Sequence, residues 1–351
     1  MANLYRFQDN DVVNDTQKVA VSTWTNNTNN LTNYHTSSTQ ANFTSPTASG
    51  AFFIDVFNEA TSSTSTAVQF SIAYGHRKGS GSLNFTNDTG AKGKSATGVT
   101  YAQYRNIVYG DELRDFSFDG FTPDDIYVIN INRSRYRHNL KPGTLNLHLT
   151  ASAENSAVEA GTNAVDKLHL TDDSVTQTGS AVLTNIGRQF NIVSGSNGER
   201  SGSLLTQVKN SGSYGFFYPD AGLIILNARA ISASLQIEPT RTDNVTPDGH
   251  AKLYRSISGS AHFIIDSEEK ISSQFYFVRA RNHEFNYTTN PSFIDTQGAL
   301  NFDSMIDNPT TYITTIGLYN DMSDLVAVAK VSQPVVKDFT KEALIRVKLD
   351  Y

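Results

Sequence analysis

The pattern of apolar and polar positions divides this chain into three stretches. Residues 9 to 50 are polar and poor in aliphatics, as in Thr23-Trp-Thr-Asn-Asn-Thr-Asn-Asn-Leu-Thr-Asn-Tyr-His35. Such a composition buries too little apolar surface to fold by itself. It predicts either a disordered tail or, favoured by its lone tryptophan, an extended N-terminal arm over residues 1–50 ordered by lying on another subunit. Its single tryptophan, Trp24, and Tyr34 would anchor it on a neighbouring subunit. From Ala51 onward, short runs of β-branched and aromatic residues recur between Ser, Thr, Asn and Gly clusters, the signature of strands and turns.

Those runs include Phe52–Phe57, Ala67–Tyr74, Phe116–Phe121, Ile126–Asn132, Lys167–Leu170, Phe190–Val193 and Gly222–Leu226. Leu145-Asn-Leu-His-Leu149 alternates with period two, which places its leucines on one face. Residues 151–166 contain no aromatic residue and predict an exposed loop insertion. Residues 238–250, with Pro239, Pro247 and Gly249, are the most linker-like stretch and separate a β-rich domain over 51–240 from a C-terminal β domain over 241–351. Tyr101–Tyr109 carries apolar residues at three- and four-residue spacing and is the best helix candidate.

The last forty residues are the most explicit. Tyr312–Tyr319 and Leu325–Val331 flank a polar Asn320-Asp-Met-Ser-Asp324 segment, which predicts a hairpin with a long loop. Ala343–Tyr351 then places Ile345, Val347, Leu349 and Tyr351 on one strand face, with Arg346, Lys348 and Asp350 on the other. A terminus patterned this way is expected to pair within a sheet, in its own chain or a neighbour's. The fold class expected is mostly β, with antiparallel sandwich-like domains, the extended arm and few helices.

Composition narrows the functional classes. The chain has 28 basic and 34 acidic residues in 351, a formal charge of −6, with no long like-charge block. Nucleic-acid binding would usually show a basic footprint, so none is expected. No cysteine is present, so disulfides and thiolate metal sites are excluded. No apolar run approaches the roughly 18 to 20 residues of a membrane span. No charged-then-apolar leader is visible, so synthesis in a cytoplasm is expected.

Motifs for chemistry are weak. Gly90-Ala-Lys-Gly-Lys-Ser95 lacks the earlier glycine of a phosphate loop, because Asp88 stands there. Gly75-His-Arg-Lys-Gly-Ser-Gly-Ser82 fits a plain turn better than an anion site. Asp124/Asp125, Asp172/Asp173 and Glu268/Glu269 are sequence neighbours, which point to opposite faces of a strand and suit turns and caps better than a glycosidase pair. The eight histidines show no metalloenzyme spacing. No enzyme, cofactor or metal is expected. Arg133, Arg135 and Arg137 would project from one side of a continuing strand, as an intersubunit ion-pair ridge or a solvated face. The aromatic run Tyr214-Gly-Phe216-Phe217-Tyr218-Pro219 is expected at a domain or subunit junction.

Four blocks carry a resemblance: Phe70–Ser82; Asp125–Tyr136 with Leu140–Gly143 and Leu145–Leu149; Tyr214–Asn227; and Phe277–Phe293 continuing to the C-terminus. In this order they resemble a family of virion structural proteins from large contractile-tailed phages, notably those infecting marine cyanobacteria. The resemblance covers roughly residues 70 to 351 and leaves out the arm and the 151–166 insertion. It implies a virion location in the tail, most of all the baseplate, as a wedge component that holds neighbours and rearranges on contraction. The implied partners are other baseplate and tail proteins and further copies of the chain. A receptor-binding or fibre-attachment protein contacting host glycans is the alternative, and a tail-associated glycan hydrolase a distant third.

Overall fold

A computed structural model describes residues 5–36, 53–81, 96–150, 167–176, 181–201, 213–235, 237 and 249–351. The chain is mostly β, 46% strand against 17% helix, with antiparallel sheets and a large sheet curled into a half-barrel. It divides into two compact units. One is Val19–Glu269; the other joins Met1–Lys18 to Lys270–Tyr351. The division therefore runs through two strands rather than at residues 50 and 240. The expected insertion at 151–166, the Gly90–Ser95 motif and most of the 238–250 linker lie outside the described residues.

In chain order the strands are β1 (Val12–Ser22), β2 (Asn30–Leu31), β3 (Phe53–Phe57), β4 (Val68–His76), β5 (Asp125–Ile131), β6 (Asn139–Leu140), β7 (Asn146–Thr150), β8 (Lys167–Asp172) and β9 (Val182–Thr184). They continue with β10 (Gly187–Ser196), β11 (Glu199–Arg200), β12 (Gly215–Tyr218), β13 (Leu223–Asn227), β14 (Phe263–Ile264), β15 (Asp266–Ala280), β16 (Thr311–Tyr319), β17 (Leu325–Lys337) and β18 (Ala343–Asp350). The helices are α1 (Ala96–Tyr109), α2 (Ala228–Leu235), α3 (Gly249–Ser260) and the short α4 (Ser304–Asp307).

The larger unit is built on one sheet in the order β2-β14-β7-β8-β10-β12-β13-β5-β4-β3, with β9 and β11 attached to β10. Its central strands are buried on both faces, so they read as continuous apolar runs rather than alternating ones. Period two sorts them between two cores. Tyr127, Ile129, Phe217, Ile224 and Leu226 face one core, which α2 and α3 complete through Ile231, Leu235, Leu253 and Ile257. Ile126, Val128, Phe216, Tyr218 and Ile225 face the other, closed by Tyr101 and Val108 of α1 with Phe116 and Phe118. Helices, not a second sheet, supply the outer layers here.

Of the segment expected to be an arm, residues 19–36 belong to this unit, residues up to Lys18 to the smaller one, and residues 37–50 lie outside the described residues. Trp24 is 2% exposed. Its Nε1 donates to the Phe263 carbonyl at 2.9 Å, and its ring meets those of Phe263 and Phe70. β2 pairs with β14, and Thr25 exchanges hydrogen bonds with the buried Gln69 side chain. Tyr34 donates to the Leu31 carbonyl at 2.7 Å, and burial pushes its phenol well above the usual range. Residues 24–35 are thus clipped onto the edge of their own sheet. Asn and Thr side chains here satisfy hydrogen bonds rather than signal disorder.

The smaller unit contains β18 with the greater parts of β1 and β15, ordered β1-β15-β18, and the separate two-stranded sheet β16-β17.

Candidate assembly surface

The C-terminal strand pairs within its own chain. β18 runs antiparallel to β15 from Ser273↔Asp350 to Ala280↔Ala343. Tyr351 and Ser272 then exchange two backbone hydrogen bonds at 3.0 and 3.1 Å. Val347 is buried, with Ile345 and Leu349 half-buried on the same side; Arg346, Lys348 and Asp350 are exposed on the other. Lys348 reaches Asp350 at 3.0 Å, and Arg346 lies 5.2 Å over the Phe275 ring. Tyr351 itself stands out at 72% exposure.

The hairpin forms where the apolar runs lie. Its loop is held by Asn320, whose Oδ1 accepts from the Met322 and Asp324 amides at 3.0 and 2.8 Å. A two-stranded hairpin is marginal in water by itself. This one also exposes Tyr312, Tyr319, Met322, Leu325, Val326 and Val328, with Val326 at 68% and Met322 at 85%. β17 is exposed or half-exposed along its length until the buried Lys337. The two ladder irregularities, near Thr314 and between Leu318 and Tyr319, twist the hairpin. Beside it, a cavity of about 820 Å³ is lined by Tyr5, Phe7, Phe285, Ile313, Leu318 and Ile345, among others.

Burial statistics set this unit apart. Among the described residues, it holds only five of the fifty buried hydrophobics but fourteen of the twenty-two large exposed ones. Both continuous cores belong to the larger unit. Large exposed apolar patches mark interaction surfaces.

The other residues singled out from the sequence fall elsewhere. The arginines do not form a ridge, because β5 ends at Ile131 and residues 133–135 make a 3-10 turn. Asn132 Oδ1 accepts from the Ser134 amide and opens that turn. Arg133 donates to the Tyr136 carbonyl at 2.6 Å and lies over the Tyr136 ring. Arg135 donates to Thr25 Oγ1, and the Arg137 amide donates to Ser267 Oγ at 2.7 Å. The aromatic run sits inside the larger unit rather than at a junction. Tyr214 and Phe217 lie in one core, Phe216 and Tyr218 in the other. Asp172 and Asp173 organise turns, accepting from the Gly143 and Ser174 amides and from Asn191. His76 Nδ1 accepts from the Lys78 and Ser80 amides, which makes Gly75–Gly81 an ordinary turn.

One cluster had no sequence signal. His262, His148 and His169 stand side by side at the β14, β7 and β8 positions, with ring centroids 3.9 and 3.8 Å apart. Burial and the neighbouring imidazoles push His148 down to about 4, and His169 shifts down as well. The rings stack face to face instead of converging, and no group of three or more His, Asp or Glu among the described residues could hold a metal ion.

Comparison with family models, with curated proteins and with solved structures returns no match for this chain.

Proposed function

We propose that this chain is a structural subunit of a contractile phage tail, placed in the baseplate, where it joins neighbouring tail proteins and further copies of itself. The observation that carries the reading is the inverted burial of the smaller unit. A hairpin with exposed valine, leucine and tyrosine side chains is costly in water and gains stability when a partner covers it. The larger unit, by contrast, has both sheet faces filled. The resemblance of residues 70–351 to contractile-tail structural proteins supplies the kind of assembly. Contraction would then exchange one set of covering contacts for another of similar energy.

The test is composition. Phage particles carrying this chain are dissociated and their tails and baseplates separated on a gradient. The reading expects the chain in the baseplate fraction at a fixed stoichiometry. Its recovery only among non-virion proteins of the infected cell would refute it, and recovery with detached fibres would make it a fibre-attachment protein.

A further inference from the structure

Lys337, the last residue of β17, is 0% exposed. Its ammonium touches three oxygens, all neutral: Asn286 Oδ1 at 2.8 Å, the Asn282 carbonyl at 2.9 Å and the Asp338 carbonyl at 3.0 Å. Lysine is almost never fully buried without a charged partner. Desolvation lowers its affinity for a proton, opposed by the fields of Asp338, Glu284 and Glu342. Asn286 is also buried, and its Nδ2 donates to the Asn282 carbonyl at 2.7 Å, which turns Oδ1 toward the lysine. The amide carbon lies one C=O bond, about 1.2 Å, beyond that oxygen. An amine desolvated and held beside an acyl carbon is the arrangement that makes lysine a nucleophile.

We propose that Lys337 and Asn286 join in an intramolecular isopeptide bond. The Lys337 ammonium first gives up a proton to a carboxylate. Its Nζ then attacks Asn286 Cγ, the Nζ–Cγ bond forms, and the Cγ–Nδ2 bond breaks. The proton passes to the departing nitrogen, which leaves as ammonia. Ammonium and primary amide become secondary amide and ammonium, so no oxidant or co-reactant is required. Of the carboxylates whose field reaches Lys337, Asp338 is engaged by the Thr340 amide and hydroxyl and by Lys341. Glu342 is paired with Arg279. Glu284, two residues from Asn286, accepts from the Arg281 amide through Oε2, while its Oε1 has only the His283 ring at 3.9 Å, beyond hydrogen-bond reach, and it is assigned the proton transfer. The bond would close the chain from 286 to 337 around both strands of the exposed hairpin, so its base could not unzip under load.

The competing account is an ammonium capped permanently by three oxygens, and intact mass separates the two. Purified full-length folded protein is expected about 17 Da, one ammonia, below the mass of its sequence. A tryptic branched peptide should link Lys337 to Asn286. Lys337→Arg and Asn286→Ala should each restore the full mass, and Glu284→Gln should slow bond formation in a chain with unchanged circular dichroism. Wild-type protein at the full sequence mass overturns the proposal. So does a loss that digestion traces to a cyclised asparagine elsewhere, such as Asn197 before Gly198. Bond formation at the wild-type rate in Glu284→Gln would remove that residue from the step.

Discussion

His148 on β7 and His169 on β8 are direct cross-strand partners, and their rings lie parallel within 6° at 3.8 Å. His262 covers the other face of His148 at 3.9 Å, so the three imidazoles form one continuous stack across β14, β7 and β8. Lys167, on the same strand as His169, adds a further positive charge nearby. Such a stack tolerates neutral rings and resists protonated ones.

The pH dependence follows from the direction of those shifts. Unfolded, these histidines titrate near 6.5, whereas His148 in the folded chain titrates at about 4 and His169 is lowered too. Between those values the unfolded chain binds more protons, so stability is full above about pH 6.5 and falls as pH drops toward 4. Urea midpoints at pH 7.5 and pH 5 should therefore differ. The double variant His148→Gln, His169→Gln should flatten the difference while carboxylates stay ionised. An unchanged slope in that variant would contradict the stack as its source.

Trp24 should behave as a core residue and not as a docking anchor. Replacing a fully buried tryptophan with alanine typically costs about 3–5 kcal/mol. Trp24→Phe keeps much of the packing and loses the hydrogen bond to Phe263, at a cost of about 1 kcal/mol. Removing residues 1–35 should destabilise the larger unit, since it strips β2 and Thr25 from their partners. Denaturant unfolding of the three variants checks the ranking; a truncated chain as stable as the full one would sink it.

Gly222 should not accept a side chain. Its φ is +67°, and a Cβ there would come within 2.6 Å of the Tyr136 ring, which is buried. Left-handed backbone strain alone costs roughly 1–2 kcal/mol. Gly222→Ala is expected to lower stability by about 2–4 kcal/mol once the displaced ring is included. Thermal unfolding measures it.

The hairpin should separate assembly from folding. Val326→Asp and Val328→Asp place charges on exposed positions, where surface changes usually move stability by less than about 0.5 kcal/mol. The same charges in a covered apolar interface cost several-fold more. Each variant should fold and stay soluble, with less tendency to self-associate, yet fail to enter tail assemblies. Normal incorporation of both would remove the hairpin from the interface.

Much of the sheet was legible in the sequence. Ile126–Asn132 and Gly222–Leu226 read as strands because a segment buried on both faces has nothing but apolar side chains to show. The hairpin and the final strand were legible because their turn and alternation are local. The helices α2 and α3 were not. Gly249-His-Ala-Lys-Leu-Tyr-Arg-Ser-Ile-Ser-Gly-Ser260 is rich in poor helix formers and is held by the sheet it covers. The cap of α2 was present but easily missed: Asn227 Oδ1 accepts from the Arg229 and Ala230 amides. The polar stretch around Trp24 misled because its binding surface, Phe263 and Gln69, is remote in sequence. The histidine stack needs the register of three strands, which spacing along the chain does not encode.

The most direct measurement is cryo-electron microscopy of intact tails carrying this chain, at a resolution that traces β16 and β17. The account predicts density in the baseplate, with Val326, Val328 and Tyr312 covered by a neighbouring subunit and Trp24 inside its own unit. A chain found at a host-facing tip with the hairpin bare to solvent, or absent from the particle, would contradict it.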